Sequence, residues 1–188
     1  MNILISGVGG QGTLLASRVL GRYALLKGFD CKLSEIHGMS QRGGSVTTHV
    51  RIGEKIYSPV VWEGSADLIL AFENLEAMRV KHYLKADGVL LVNDEKILPM
   101  PCITGASQYP EDLKAELLAS HKGVHFVPAK ELAKKVGTEK ATNIVMLGVA
   151  CKLCGMDEQV MEQAVLDCVP AKFQQLNLDA FRLGFINA

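Results

Sequence analysis

The chain has 188 residues, with 20 basic against 20 acidic side chains and a formal net charge of zero. That balance gives no electrostatic ground for a nucleic-acid or membrane-surface partner, both of which recruit proteins through excess positive charge. Hydrophobic residues make up 48% and charged residues 21%, an ordinary globular composition, and a chain of this length buries roughly 70% of its unfolded surface without a disulfide or metal staple.

Met1-Asn2-Ile3-Leu4-Ile5 lacks the basic flank and long apolar run of a signal peptide and reads as a strand that begins at once. No apolar run reaches the ~20 residues that span a bilayer, so the expected location is the cytoplasm. Ile3-Leu4-Ile5 is continuously apolar, as in a strand buried on both faces of a parallel sheet. The loop Gly7-Val8-Gly9-Gly10-Gln11-Gly12 follows. Leu14, Leu15, Val19, Leu20, Tyr23, Ala24 and Leu26 then recur at helical spacing until Gly28 stops the helix. A second strand is predicted from Phe29 to Ile36. After a glycine-rich stretch, Val46, Thr48, Val50 and Ile52 alternate with Thr47, His49 and Arg51, the pattern of a half-exposed strand. Gly53-Glu54 reads as a turn into a hairpin partner around Ile56 to Val61, with Pro59 favouring an edge position.

Asp67 to Ala71 is the next strand, and Glu73 to Tyr83 a helix with Leu75, Met78 and Val80 inward. Gly88 to Val92 is a strand and Pro99 to Pro110 is irregular. A helix is predicted over Glu111 to Ser120, a strand over Val124 to Val127, and a helix over Ala129 to Val136. Thr142 to Phe185 carries helical patterns only, broken near Gly155 and Pro170. Strands alternating with helices predict an α/β, Rossmann-like, doubly wound and mainly parallel sheet, with a hairpin insertion and a helical C-terminal segment. With no linker, repeat or low-complexity run, residues 1–188 read as a single domain.

Five cysteines are present, Cys31, Cys102, Cys151, Cys154 and Cys168. Cys151-Lys152-Leu153-Cys154 has the C-x-x-C form of a redox or metal pair. It lies inside a helical pattern with no second pair or nearby histidine to complete a ligand set, so the structural reading is preferred. Iron–sulfur clusters need about four thiolates at suitable spacing, and the five here are scattered.

Gly7 to Gly12 fits G-x-G-x-x-G in the correct context, after a strand and opening a helix. Glycines there let the backbone approach a ligand, and the helix N-terminus offers unpaired N–H groups to an anion. The same glycines also serve close strand–helix packing. Glu35, near the end of the second strand, stands where a nicotinamide enzyme keeps its ribose-binding acid, although an ordinary strand-end carboxylate fits equally. The second loop runs Glu35-Ile36-His37-Gly38-Met39-Ser40-Gln41-Arg42-Gly43-Gly44-Ser45. Its glycines are costly in conformational entropy unless the backbone must approach something closely. Arg42 offers a planar fork for a carboxylate or phosphate, and His37 adds an imidazole that can donate or accept a hydrogen bond. A solvated arginine and a backbone-bonded histidine on a surface loop is the competing reading.

Taken in order, GVGGQGTLLASRVL, SEIHGMSQRGGSVTTHVRIG and YSPVVWEGSADLILAFENLEAMR resemble the small (beta) subunit of indolepyruvate:ferredoxin oxidoreductase. That subunit belongs with the gamma subunits of 2-oxoacid:ferredoxin oxidoreductases. The match runs from Ile3 to about Asn93 and is looser beyond, although Thr142 to Gly148 is similar to the family's late asparagine-bearing helix. HGMSQRGG is the indolepyruvate-like form of the second loop.

The resemblance implies oxidative decarboxylation of an aryl pyruvate to acyl-CoA, CO2 and reduced ferredoxin. Thiamine diphosphate, Mg2+ and the iron–sulfur clusters would belong to a large (alpha) partner subunit, with CoA as co-substrate and no cofactor or metal assigned to this chain. Its role would be to complete the assembly, inactive alone and with no catalytic residue of its own assigned. Gly7, Gly9, Gly10, Gln11 and Gly12, with Asn143 capping or bridging nearby, would form a phosphate- or CoA-facing loop or pack the first helix. His37, Gln41, Arg42, Gly43 and Gly44 would face the partner or substrate. Two alternatives stay open: a stand-alone dinucleotide-dependent oxidoreductase, and a nucleotide- or CoA-binding module. An apolar patch for a partner is expected, with Val60-Val61-Trp62 the candidate and a core tryptophan the alternative.

Overall fold

The computed structural model describes residues 1–38 and 43–188. Its strands are β1 (Asn2–Val8), β2 (Asp30–His37), β3 (Ser45–Gly53), β4 (Ala66–Ala71), β5 (Leu84–Asn93) and β6 (Val124–Val127). They form one six-stranded sheet in the order β2-β3-β1-β4-β5-β6. β1, β4, β5 and β6 run parallel, and β3 is antiparallel to both β1 and β2. The mainly parallel α/β architecture predicted from the alternation of elements is therefore present. The chain leaves β1 toward one side of the sheet and returns to build the other side from β4, which makes the β1–β4 boundary a topological switch point.

The continuous apolar runs feed two cores because successive side chains point to opposite faces. Ile3, Ile5, Val50, Leu68, Leu70 and Leu91 face one way, against α1 (Thr13–Leu26), α5 (Ala129–Lys135), α6 (Thr142–Leu153), α7 (Glu158–Cys168) and α8 (Gln174–Ile186). Leu4, Ile69, Leu90 and Val92 face α2 (Asn74–Val80) and α4 (Leu113–Ser120). The expected irregular stretch before α4 contains one short helical turn, α3 (Met100–Ile103).

Glycine punctuation sets the helix ends. At the end of α1 the Phe29 amide donates to Ala24 O at 2.9 Å and the Gly28 amide to Leu25 O at 3.0 Å, the paired bonds of a Schellman stop. The same pattern ends α6 at Gly155, with Met156 N to Cys151 O at 2.9 Å and Gly155 N to Lys152 O at 3.2 Å. α6 is buried from Asn143 to Cys151, which explains why its sequence is apolar on every side. It crosses α8 so closely that a Cβ on Gly148 would stand 2.1 Å from Phe181 O, and one on Gly184 2.1 Å from Val145 O.

Expectations are corrected at the hairpin, at His49 and in α2. Residues 56–61 are not the hairpin partner of β3; they are irregular, and the partner is β2. β3 already has β1 on one edge and β2 on the other, so it has no edge left for a third strand. The backbone of 56–61 is tied by side chains instead: Ile56 N donates to Asp30 Oδ2 at 2.9 Å, Val61 N to His49 Nδ1 at 3.1 Å, and Arg51 Nη1 to Ser58 O at 3.1 Å. That cover also buries His49, which strict alternation places outward. In α2 Val80 is buried and Met78 packs against the core as expected, while Leu75 is only half-buried and Glu76 and Ala77 are buried as well. The helix begins only at Asn74, because Glu73 caps it by accepting from Glu76 N at 3.0 Å.

Candidate functional site

The glycine loop occupies the C-terminal end of β1, at the switch point. Its glycines divide by what surrounds them. A Cβ on Gly7 would meet Gln11 Oε1 at 2.9 Å and Phe72 Cβ at 3.2 Å, and one on Gly12 would meet Asn143 Nδ2 at 2.5 Å. Those two glycines are packing positions, and Gly12 also needs its left-handed φ of 82° to turn into α1. Gly10, with φ 107°, has nothing within 4 Å of where a Cβ would stand. The two readings of the loop therefore apply to different residues. Gln11 is turned inward as a staple: Oε1 accepts from Val8 N at 2.7 Å and Nε2 donates to Phe72 O at 3.0 Å. Asn143 is buried, and its Nδ2 donates to Gly12 O at 3.1 Å.

The second loop is laced to the first. Gly9 N donates to Gly44 O at 2.9 Å, and Gly43 N to Gly9 O at 3.5 Å. His37, exposed at the end of β2, has Nδ1 2.9 Å from Gly38 O. Gln41 and Arg42 lie outside the described residues. Glu35 is exposed and accepts from Thr48 Oγ1 at 3.3 Å. β3 intervenes between β2 and β1, so Glu35 is two strand spacings, roughly 10 Å, from the glycine-loop strand. That is one strand too far for the ribose-binding position of a dinucleotide fold.

Beside the glycine loop, a cleft of about 400 Å³ opens at the C-terminal ends of the parallel strands, between Gly10–Gly12, Glu95, Ile97, Lys130, Glu139, Lys140 and Thr142. Neither Gly12 at the start of α1 nor Ala141 at the start of α6 caps its helix with a side chain. Two helix N-termini thus face the same cleft, an arrangement that favours anions. Lys130 sits on its wall, 2.6 Å from Glu95 Oε1 and 3.5 Å from Glu139 Oε2. Its pKa is raised, first by the Glu95 bond, so the ammonium stays charged.

Behind the loops lies a set of buried groups that the sequence reading did not single out. Glu76, 2% exposed, accepts from Ser6 Oγ at 3.2 Å, Ser45 Oγ at 2.6 Å and Arg79 Nη1 at 2.5 Å. Glu73, equally buried, accepts from Tyr109 OH at 2.6 Å and Ile97 N at 3.1 Å. Burial, followed by this bond to a carboxylate, holds the Tyr109 phenol protonated well above its ordinary range. The signal in the sequence was the pair of acids in Phe72-Glu73-Asn74-Leu75-Glu76, directly after the apolar run Leu68–Ala71.

Among the described residues no group of three or more His, Cys, Asp or Glu side chains is arranged to hold a metal ion. Burial pushes the Cys151 thiol up to about 12 and the Cys154 thiol up to about 11. Thiolate is the ligand and nucleophile, so these are poor donors.

A family model described as pyruvate ferredoxin/flavodoxin oxidoreductase matches residues 2–186. The chain belongs to the pyruvate ferredoxin/flavodoxin oxidoreductase family. Within it, the chain is 39% identical to the indolepyruvate oxidoreductase subunit IorB of Thermococcus kodakarensis, over 97% of this chain and 93% of that one. It is 37% identical to the subunit of the same name from Archaeoglobus fulgidus, over 100% and 95%. Among solved structures it is similar to the gamma subunit of a keto/oxoacid ferredoxin oxidoreductase from Geobacter sulfurreducens. That similarity has a TM-score of 0.74 at 29% identity, covering 100% of this chain and 97% of the other. The resemblance read from the two loops and the segment after them is thus borne out across the whole length, as is the reading of the chain as a small subunit of a 2-oxoacid:ferredoxin oxidoreductase. Among the described residues, no helix of this family member is long and apolar enough to cross a membrane.

Proposed function

We propose that this chain, acting as one gamma-type domain over residues 1–188 in the cytoplasm, is the small subunit of an indolepyruvate-type 2-oxoacid:ferredoxin oxidoreductase. Its large partner carries thiamine diphosphate, Mg2+ and the iron–sulfur clusters. The carrying observation is the junction of the two loops: Gly9 bonds Gly43 and Gly44 at the C-terminal edge of the sheet, beside a cleft faced by two uncapped helix N-termini. Full-length relatives named indolepyruvate oxidoreductase subunits support the substrate class.

Thiamine diphosphate, when bound in the partner, supplies the electron sink for decarboxylation. This chain's part is binding and shaping. Gly10 and the N–H groups opening α1 present donors to an anion such as the phosphates of CoA. Lys130 and Lys140 add positive charge at the rim, and Glu95 and Glu139 balance it. Asn143 and Gln11 hold the glycine loop in shape. Arg42 serves as a clamp for a carboxylate or phosphate, with His37, Gln41, Gly43 and Gly44 completing the loop toward the partner. Ferredoxin is met through the complex.

The test is reconstitution. The large subunit is assayed for 2-oxoacid-dependent reduction of a viologen dye with CoA, with and without this chain. Activity on indolepyruvate that needs both chains supports the reading, and equal activity of the large subunit alone sinks it. In the active complex, Arg42→Ala is expected to lower kcat/KM about 100-fold, the loss of a charge-assisted bidentate contact. Unchanged kinetic constants would remove Arg42 from the site.

A further inference from the structure

Glu76 lies where the two loops are anchored and not where they open. Ser6 is the residue before Gly7, two residues short of the end of β1; Ser45 is the residue after Gly44, at the start of β3. In the register of β1 with β3, Val8 stands opposite Ser45 and Ser6 opposite Thr47, so both serines point to the face that carries α2. The Glu76 carboxylate accepts from both hydroxyls through the same oxygen, Oε2, while Oε1 takes Arg79. One buried acid therefore ties the root of the glycine loop to the root of the second loop, one residue below the point where Gly9 bonds Gly44.

A stabilising role alone is a weak reason for such a group, since burying a carboxylate among polar partners breaks even at best against an apolar side chain of similar volume. Fixing a unique spacing between two glycine-rich segments is a task that directional, charge-assisted bonds do perform. We infer that Glu76, with Ser6 and Ser45 as its arms and Arg79 as its counter-ion, is a positioning residue that sets the distance between the two loops and thereby the affinity of the site they form. This rests on the reading of those loops as the CoA- and substrate-facing surface.

The experiment uses the complex assembled with the large subunit, comparing Glu76→Gln, Ser45→Ala and Ser45→Thr with the unaltered chain, and Arg42→Ala as a control on the loop reading itself. Ser45→Ala removes one hydroxyl from an exposed position, so it carries the test even if Glu76→Gln does not assemble. The expected result is a KM for CoA or the 2-oxoacid raised about tenfold by either change, as for one lost bond to a charged group, with kcat within about a factor of two. The double variant should be no worse than the poorer single one, and Ser45→Thr should restore the KM. If Arg42→Ala impairs turnover while Ser45→Ala and Glu76→Gln leave KM unchanged, the loops are the site and Glu76 does not position them. A fall in kcat that merely tracks the assembled fraction, or that Ser45→Thr does not reverse, also overturns the inference. If neither Arg42→Ala nor the Glu76 and Ser45 variants alter any kinetic constant, the loop reading fails and takes this inference with it.

Discussion

The imidazole of His49 sits buried in the middle of β3. Its Nδ1 accepts from the Val61 amide, and Tyr83 meets the ring edge-on at 6.0 Å between centroids. The acceptor role requires an unprotonated Nδ1, and burial lowers the pKa below the ordinary 6.5. The unfolded chain therefore takes up a proton that the native chain refuses. The stability this ring contributes is present above about pH 6.5 and is lost as pH falls from there toward the depressed native value. Denaturant midpoints measured from pH 7.5 to 5 should fall on acidification, and His49→Gln, which keeps an acceptor and cannot titrate, should flatten that slope. An unchanged slope in the variant would mean that the proton is taken up elsewhere.

At the scale of elements, the tight crossing of α6 and α8 makes the sharpest claim. Gly148 lies against Phe181 O and Gly184 against Val145 O, both at distances no Cβ tolerates, so the helices touch backbone to backbone. Gly148→Ala or Gly184→Ala should cost about 2 kcal/mol through forced separation, roughly 4–8 °C in Tm for a domain of this size. That cost outweighs the gain in helix propensity of about 1 kcal/mol from replacing glycine. A thermal scan showing either variant as stable as the parent would refute the close crossing. The helices themselves were legible in the sequence: Gly28 and Gly155 stop α1 and α6 where the patterns end. Their packing was not, because the periodicity of α6 is apolar all round and names no partner face. The strand pairing failed for a related reason. Residues 30–37, 45–53 and 56–61 all read as strand-like, and local pattern cannot say which pair shares an edge; β3 chose β1 and β2.

For the whole molecule, the sequence reached the layer order and the location of the glycine loop, since a βα unit with G-x-G-x-x-G has few places to go. It did not reach the Glu76 and Glu73 networks, whose partners lie up to 70 residues away in sequence. Nor could it settle whether Trp62 belongs to the core. The structure leaves Trp62 69% exposed, with Tyr57 at 84% and Val60 at 41%. Register puts Ile36, 60% exposed, on the same sheet face as Ser6, the face that α2 covers farther along. The α2 and α4 layer packs on β1, β4, β5 and β6, while over β3 the same face is crossed by the 56–62 segment. Exposed aromatics of this kind contribute little to a monomer's fold and much to an interface when they meet a partner. Tyr57→Ser combined with Trp62→Ser should therefore change the unfolding free energy of the isolated chain by no more than about 1 kcal/mol. The same pair should weaken association with the large subunit by at least about tenfold, read by calorimetric titration. An unaltered affinity would show that the subunit joins its partner through another face.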